Sequence, residues 1–141
     1  MPRGPRIAGM SYIQQMFEAH PFDPDTDHTR AVECITACYS CAEACNACAD
    51  ACLGEDKVAE QVACIRTDLD CADICLATAR VVTRLTATNK ELVGAQLRAC
   101  AHACRLCAEE CEKHAPHMKH CAICAEACRR CEAACEELLT E

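Results

Sequence analysis

CITACYSCAEACNACADAC, residues 34–52, sets Cys34, Cys38, Cys41, Cys45, Cys48 and Cys52 in steps of 4, 3, 4, 3 and 4. Near the other end CAICAEACRRCEAAC, residues 121–135, sets Cys121, Cys124, Cys128, Cys131 and Cys135 in steps of 3, 4, 3 and 4. Alternating steps of three and four are a heptad seam, which puts every one of these sulfurs on one face of an α-helix. A helical bundle ordinarily fills such a seam with Leu and Ile. Here the seam carries thiols. The pattern predicts an all-α chain, an antiparallel four-helix bundle with a cysteine-lined core.

Between these stretches the same face recurs. Cys64, Cys71 and Cys75 lie in a second helical segment, with Asp68 at the heptad position that lacks a cysteine. Cys100, Cys104, Cys107 and Cys111 lie in a third. The unit C-x3-C-x2-C-x3-C is thus an internal repeat on successive helices. The predicted helices run over about 26–53, 56–86, 89–114 and 117–139. Gly54 and Pro116 end the first and third, and Asn89 starts the third. Short connections make neighbours antiparallel. A stripe of Ile65, Leu69, Ala72 and Leu76 flanks the sulfurs of the second helix and is expected to pack helix on helix.

Ahead of the bundle, residues 1–9 are expected to be disordered. Met10, Ile13, Met16 and Phe17 at helical spacing predict a short helix over 10–19, ended by Pro21. This helix either caps its own bundle or docks on a neighbour. The segment 21–27, with Pro24 and Asp25, reads as a turn. The chain therefore divides into an arm, 1–25, and a bundle domain, 26–141.

Composition bounds the function. A chain of 141 residues suits one domain, and Ala, Cys, Glu and Leu favour helix. A net charge of −8 without a basic stripe argues against nucleic acid and does not repel cations. No apolar run approaches the ~20 residues of a membrane span, so no membrane partner is expected. The N-terminus lacks an apolar signal stretch and a twin-arginine pair, which predicts a cytoplasmic protein. In a reducing cytosol a dense cysteine set reads as metal-binding or redox rather than as a disulfide framework.

Residues three and four apart on a helix hold their Cβ atoms ~5–6 Å apart, so neighbouring thiolates converge on one ion. Soft thiolates select Cu(I), Zn(II) or iron–sulfur clusters. Zinc favours isolated sets of four ligands, often on C-x2-C loops. Iron–sulfur clusters favour cysteines on folded-back loops. These sulfurs instead form continuous ladders on uninterrupted helices. Cu(I) accepts low coordination numbers and sulfur bridging. A column from Cys34 to Cys52 spans ~27 Å at 1.5 Å per residue, room for many ions. Buried thiols stay protonated when empty, and each Cu(I) that enters replaces a proton.

The topology distinguishes two ends. One gathers Ala31, Val82, Leu85, Leu97 and Leu138 and is expected to be plugged by aliphatics. The other gathers Cys48, Cys52, Gln61, Cys64, Asp68, Cys111, Cys121, His114, His117 and His120. Metal is expected to be admitted there, with the three histidines making the first labile contacts and Asp68 helping to hold the ion. His102 lies off the cysteine face and reads as a surface residue.

Other classes fit less well. The sequence contains no Glu-x-x-His pair of the kind that builds di-iron oxidases, and no cysteine stands apart as a nucleophile, so an enzyme is not expected. A thiol redox buffer would use C-x2-C units at helix N-termini, whereas these sit mid-helix. A zinc- or cadmium-sequestering protein is the nearest rival.

In these residues the chain resembles the bacterial copper storage proteins, specifically their cytosolic type. The resemblance rests on the cysteines of 34–52, 64–75, 100–111 and 121–135 and on His114, His117 and His120 near one mouth, and covers about 26–139. It implies a four-helix bundle that binds multiple Cu(I) ions through cysteine thiolates, a homotetramer of such bundles, and storage rather than catalysis. Storage in turn calls for a partner that delivers or removes the metal, a copper chaperone or an efflux protein.

Overall fold

A computed structural model describes residues 12–22 and 26–141. The expectations for residues 1–9, for Met10 and for Pro24 and Asp25 lie outside the described residues. A short helix α1 (Ile13–Glu18) precedes four long ones: α2 (Thr29–Leu53), α3 (Val62–Thr83), α4 (Lys90–His114) and α5 (Lys119–Leu139). The second long helix begins later than expected, because a 3-10 turn over Val58–Gln61 leads into α3. It also ends earlier, at Thr83. The segment 84–89 must reverse the chain, and Ala87 takes the left-handed conformation there at φ 55°. Asn89 starts α4 as expected: its side-chain oxygen accepts from the backbone N–H of Leu92 at 3.0 Å.

Cross-helix sulfur contacts fix the topology. Cys34 near the start of α2 meets Cys135 near the end of α5, and Cys52 at the end of α2 meets Cys64 at the start of α3. Cys64 also meets Cys111 at the end of α4. The bundle is therefore antiparallel, α2 packing on α3 and α5, and α4 on α5 and α3. All eighteen cysteines are buried and free. Cysteine and alanine supply most of the core, with Ile35 among its few large side chains. Such short side chains let the helices approach closely and leave little aliphatic bulk, so packing alone stabilises this core less than a leucine seam would.

The flanking stripe of α3 divides. Ala72 is buried and Ile65 partly so, but Leu69 and Leu76 stay 42% and 45% exposed. With small side chains at the seam, the neighbouring helices cover only the near edge of the flank, and the long leucines pass beyond it. Across the surface, the Arg129 guanidinium pairs with Glu112 at 2.8 Å and with Glu132 at 3.0 Å, joining α5 to α4. Exposed pairs of this kind contribute ~0–1 kcal/mol.

At one end, α1 lies against α2. Its Ile13 and Phe17 are buried, Phe17 meets the His28 ring edge-on with centroids 5.1 Å apart, and Met16 faces solvent. The short helix thus caps its own bundle. Val82 and Leu97 are buried at this end, but with Leu85 and Leu138 they line an open cavity of about 720 Å³ instead of plugging it completely. No described helix is long and apolar enough to cross a membrane.

Candidate metal centre

The heptad steps become a three-dimensional sulfur network. Cys38 lies 3.6 Å from Cys131, Cys75 lies 3.6 Å from Cys104, and Cys45 lies 3.6 Å from Cys128. Sets of four sulfurs close to within 4.8 Å of one another: Cys38, Cys100, Cys131 and Cys135; Cys41, Cys71, Cys75 and Cys104; Cys41, Cys45, Cys71 and Cys128; Cys45, Cys107, Cys124 and Cys128. The second and third sets share Cys41 and Cys71, and the third and fourth share Cys45 and Cys128. The continuous ladders expected from the sequence thus give fours that overlap instead of standing apart.

Asp68 stands where this column approaches the end that holds His120. Its carboxylate is fully buried and accepts from Cys107 at 3.1 Å, Cys124 at 3.3 Å and Cys111 at 3.5 Å. Cys64 lies 3.9 Å from its other oxygen. One carboxylate therefore connects sulfurs of α4 and α5 with the first cysteine of α3. Burial, the largest cause, pushes its pKa up to about 9, so it is protonated near neutrality. Burial likewise raises the thiol of Cys52 to about 11 and that of Cys121 above its ordinary value.

The mouth is built around His120. Its Nδ1 lies 3.4 Å from the sulfur of Cys48 and 3.6 Å from that of Cys121, while Nε2 faces Glu55 at 3.0 Å. Burial lowers the imidazole pKa, but the contacts with Cys48 and Glu55 outweigh it and the net shift is upward. Cys48, Cys52, Cys121 and His120 form a further set with ligand atoms within 4.8 Å. Met118 adds a thioether 4.0 Å from Cys121.

The three histidines do not converge. His120 alone touches sulfurs; His114 pairs with Glu110 at 3.6 Å and His117 is exposed. His102 is exposed on α4 beside Arg105, as expected of a surface residue. Gln61 is buried at the seam, and its Oε1 has no hydrogen-bond partner. Sequence reasoning missed Met118 and Glu55. Met118 was within reach, since it lies one three-residue step before Cys121 and extends the seam. Glu55 follows the end of α2 and carried no periodic signal.

Overlapping thiol sets inside an antiparallel bundle, with an imidazole and a thioether beside the sulfurs at one end, define a cysteine-rich helical metal-binding protein. The chain belongs to the copper storage protein family, which matches it over residues 27–140. It is similar to the copper storage protein Ccsp of Streptomyces lividans, solved with 10 copper equivalents. That likeness has 48% identity and a TM-score of 0.88, covering 91% of this chain and 98% of the other. A second structure is described as a cytosolic copper storage protein from Streptomyces lividans loaded with five coppers. It matches at 52% identity and TM-score 0.80, over 81% of this chain and 95% of that one. A histidine-to-alanine mutant of Ccsp matches at 52% identity and TM-score 0.80, over 82% and 96% of the two chains. Comparison with curated proteins gave no match.

Proposed function

We propose that this protein stores copper in the cytosol as multiple Cu(I) ions held by the thiolates of its bundle core, and that it is not an enzyme. The observation that carries this reading is the sharing of sulfurs between neighbouring sets of four. Isolated Zn(II) sites require separate ligand sets, and each four-thiolate zinc site retains two negative charges in a buried interior. Cu(I) with bridging thiolates, about one ion per proton displaced, leaves the interior near neutral. The bundle, 26–141, is the storage unit and 1–25 an arm.

The ligands of this reading are the eighteen cysteines, with Asp68 linking the column to the mouth. His120 makes the first contact, helped by Met118 and oriented by Glu55 through its other ring nitrogen, the arrangement usual for a ligating histidine. His114 and His117 act as outer contacts. The resemblance to cytosolic copper storage proteins supports a homotetramer. So does an exposed apolar ridge on α3 of Val62, Leu69 and Leu76 at seven-residue intervals. Loading and unloading fall to a copper chaperone or efflux partner, or to small thiols.

An anaerobic titration of the fully reduced protein with Cu(I), against a chromophoric Cu(I) chelator and with thiols counted in parallel, tests the reading. Uptake of about one ion per thiol or slightly fewer, with helicity kept, is expected. Saturation at a few ions, or displacement by Zn(II), would sink it and favour zinc or cadmium sequestration. In the same titration, replacing His114, His117 and His120 together should slow loading and removal without lowering capacity, and His120→Ala alone should reproduce most of that slowing.

A further inference from the structure

A groove of about 280 Å³ runs between α3 and α4, midway along the bundle and apart from the mouth. Its α3 wall is Thr67, Cys71 and Ile74, and its α4 wall includes Ala99 and Ala103, one helical turn apart. The two alanines leave the space: no side chain of α4 crosses to fill it at these positions. Thr67 does not fill it either, because its hydroxyl turns back onto its own helix and donates to the carbonyls of Ala63 and Cys64 at 3.0 and 3.1 Å. The rim carries His102 and Asp70, both exposed.

Cys71 forms part of the groove wall. Sixteen of the eighteen cysteines have no solvent exposure; Cys48 at the mouth keeps 2% and Cys71 keeps 1%. Cys71 is thus the one mid-bundle cysteine with any exposure, and it lies in the wall of this groove. Cys71 is also a junction of the column. It lies 3.9 Å from Cys41, 3.8 Å from Cys75 and 3.9 Å from Cys104, and belongs to two of the overlapping sets of four.

We propose that the groove between α3 and α4 is a lateral port, through which Cu(I) carried by a small thiol reaches the middle of the sulfur column at Cys71. The proposal rests on the copper-storage reading. The cavity holds roughly nine water volumes at ~30 Å³ each, enough for the cysteinyl end of a thiol–Cu(I) complex. Transfer there is ligand exchange without redox change. The Cys71 thiol gives up its proton as its sulfur bonds Cu(I), one carrier thiolate leaves the metal, and that thiolate takes up the proton. A neighbouring sulfur, Cys41, Cys75 or Cys104, displaces the remaining carrier thiolate in the same way. Because Cys71 belongs to two sets, an ion accepted there can pass toward either end. At the rim Asp70 is paired with Arg66 at 3.0 Å and His102 is engaged by Arg105, so the rim presents two guanidinium groups to an anionic thiolate–Cu(I) carrier.

The test is differential thiol labelling of the reduced, metal-free full-length chain. A short anaerobic pulse of N-ethylmaleimide is followed by denaturation, labelling with an isotopic form of the reagent and peptide mapping. Cys71 and Cys75 share the tryptic peptide 67–80, so fragment ions compare them within one molecule. Cys71 is expected to react about tenfold or more ahead of Cys75, Cys41 and Cys104, in company with Cys48. Reaction of Cys71 at the pace of Cys75 overturns the port, whether because the groove stays closed or because a second copy covers it. Ala103→Leu, which fills the groove, should reduce Cys71 to the rate of Cys75 and leave Cys48 unchanged.

Copper itself is then supplied as Cu(I)–glutathione. In a His120→Ala background Ala103→Leu should slow uptake several-fold at unchanged capacity, and an unchanged rate overturns the transport role. Low capacity in the unaltered protein would count against storage instead, and labelling of the metal-free chain separates the two failures. Should Ala103→Leu not fold, the Cys71-to-Cys75 ratio in the native protein decides.

Discussion

A cysteine at position 68 would have completed the seam of α3; the aspartate there does something a thiol does not. It gathers Cys64, Cys107, Cys111 and Cys124 around one carboxylate. Its raised pKa, about 9 against an ordinary 3.8, has a defined consequence for the metal-free protein. The unfolded chain releases this proton as pH rises through the ordinary value, while the folded chain keeps it until about 9. The folded state therefore binds more protons across that window, and its stability falls as pH rises, by at most about 1.4 kcal/mol per pH unit from this group. Urea midpoints of the apo protein should fall between about pH 5 and about pH 8.5, and Asp68→Asn should flatten that fall. An equal slope in the variant would mean that the carboxyl is ionised in the fold.

Among the elements, α4 shows how local chemistry and packing share the work. Asn89 satisfies the N–H of Leu92, and Glu91 adds negative charge to the same first turn, where the helix dipole favours it. Lys113 and His114 stand in the last turn, where positive charge is favoured. Asn89→Ala should cost about 1 kcal/mol in chemical denaturation. Cu(I) capacity should be unchanged, because the cap sits at the end remote from the mouth. A loss of capacity would show that this remote end takes part in loading. The 3-10 turn before α3 has a different origin. It brings Gln61 into the seam as the chain crosses from α2, so that an amide with an unpartnered oxygen sits where the periodicity would place another core residue.

For the molecule as a whole, the composition of the core is also its weakness. Thiols and alanine methyls bury less apolar surface than leucines, and the surface ion pairs contribute little. Metal binding should supply the missing stability. An ion that binds only the folded chain stabilises it by ~4 kcal/mol per site at a thousandfold excess over its dissociation constant. The melting temperature should climb with successive equivalents of Cu(I) and return to the apo value on chelation. Calorimetry of the protein before loading, after loading and after stripping checks this. A midpoint that ignores copper would place the ions outside the core.

The one-dimensional pattern was enough to establish four helices, their antiparallel order, the thiol-lined interior and the polarity of the two ends. A seven-residue period in cysteine specifies one helix face without reference to any partner, and short connections leave few ways to pair such faces. The tertiary structure decided what depends on distances between helices. It separated His120, against Cys48 and Cys121, from His114 and His117, although all three stand in one short stretch. It brought Glu55 and Met118 to the mouth and left Leu69 and Leu76 in solvent. It set Cys71, of the mid-bundle cysteines, in the wall of the α3–α4 groove. Periodicity assigns a residue to a face, but which neighbour covers that face, and how closely, depends on the combined volumes of side chains from several helices, and no single stretch of sequence contains that sum.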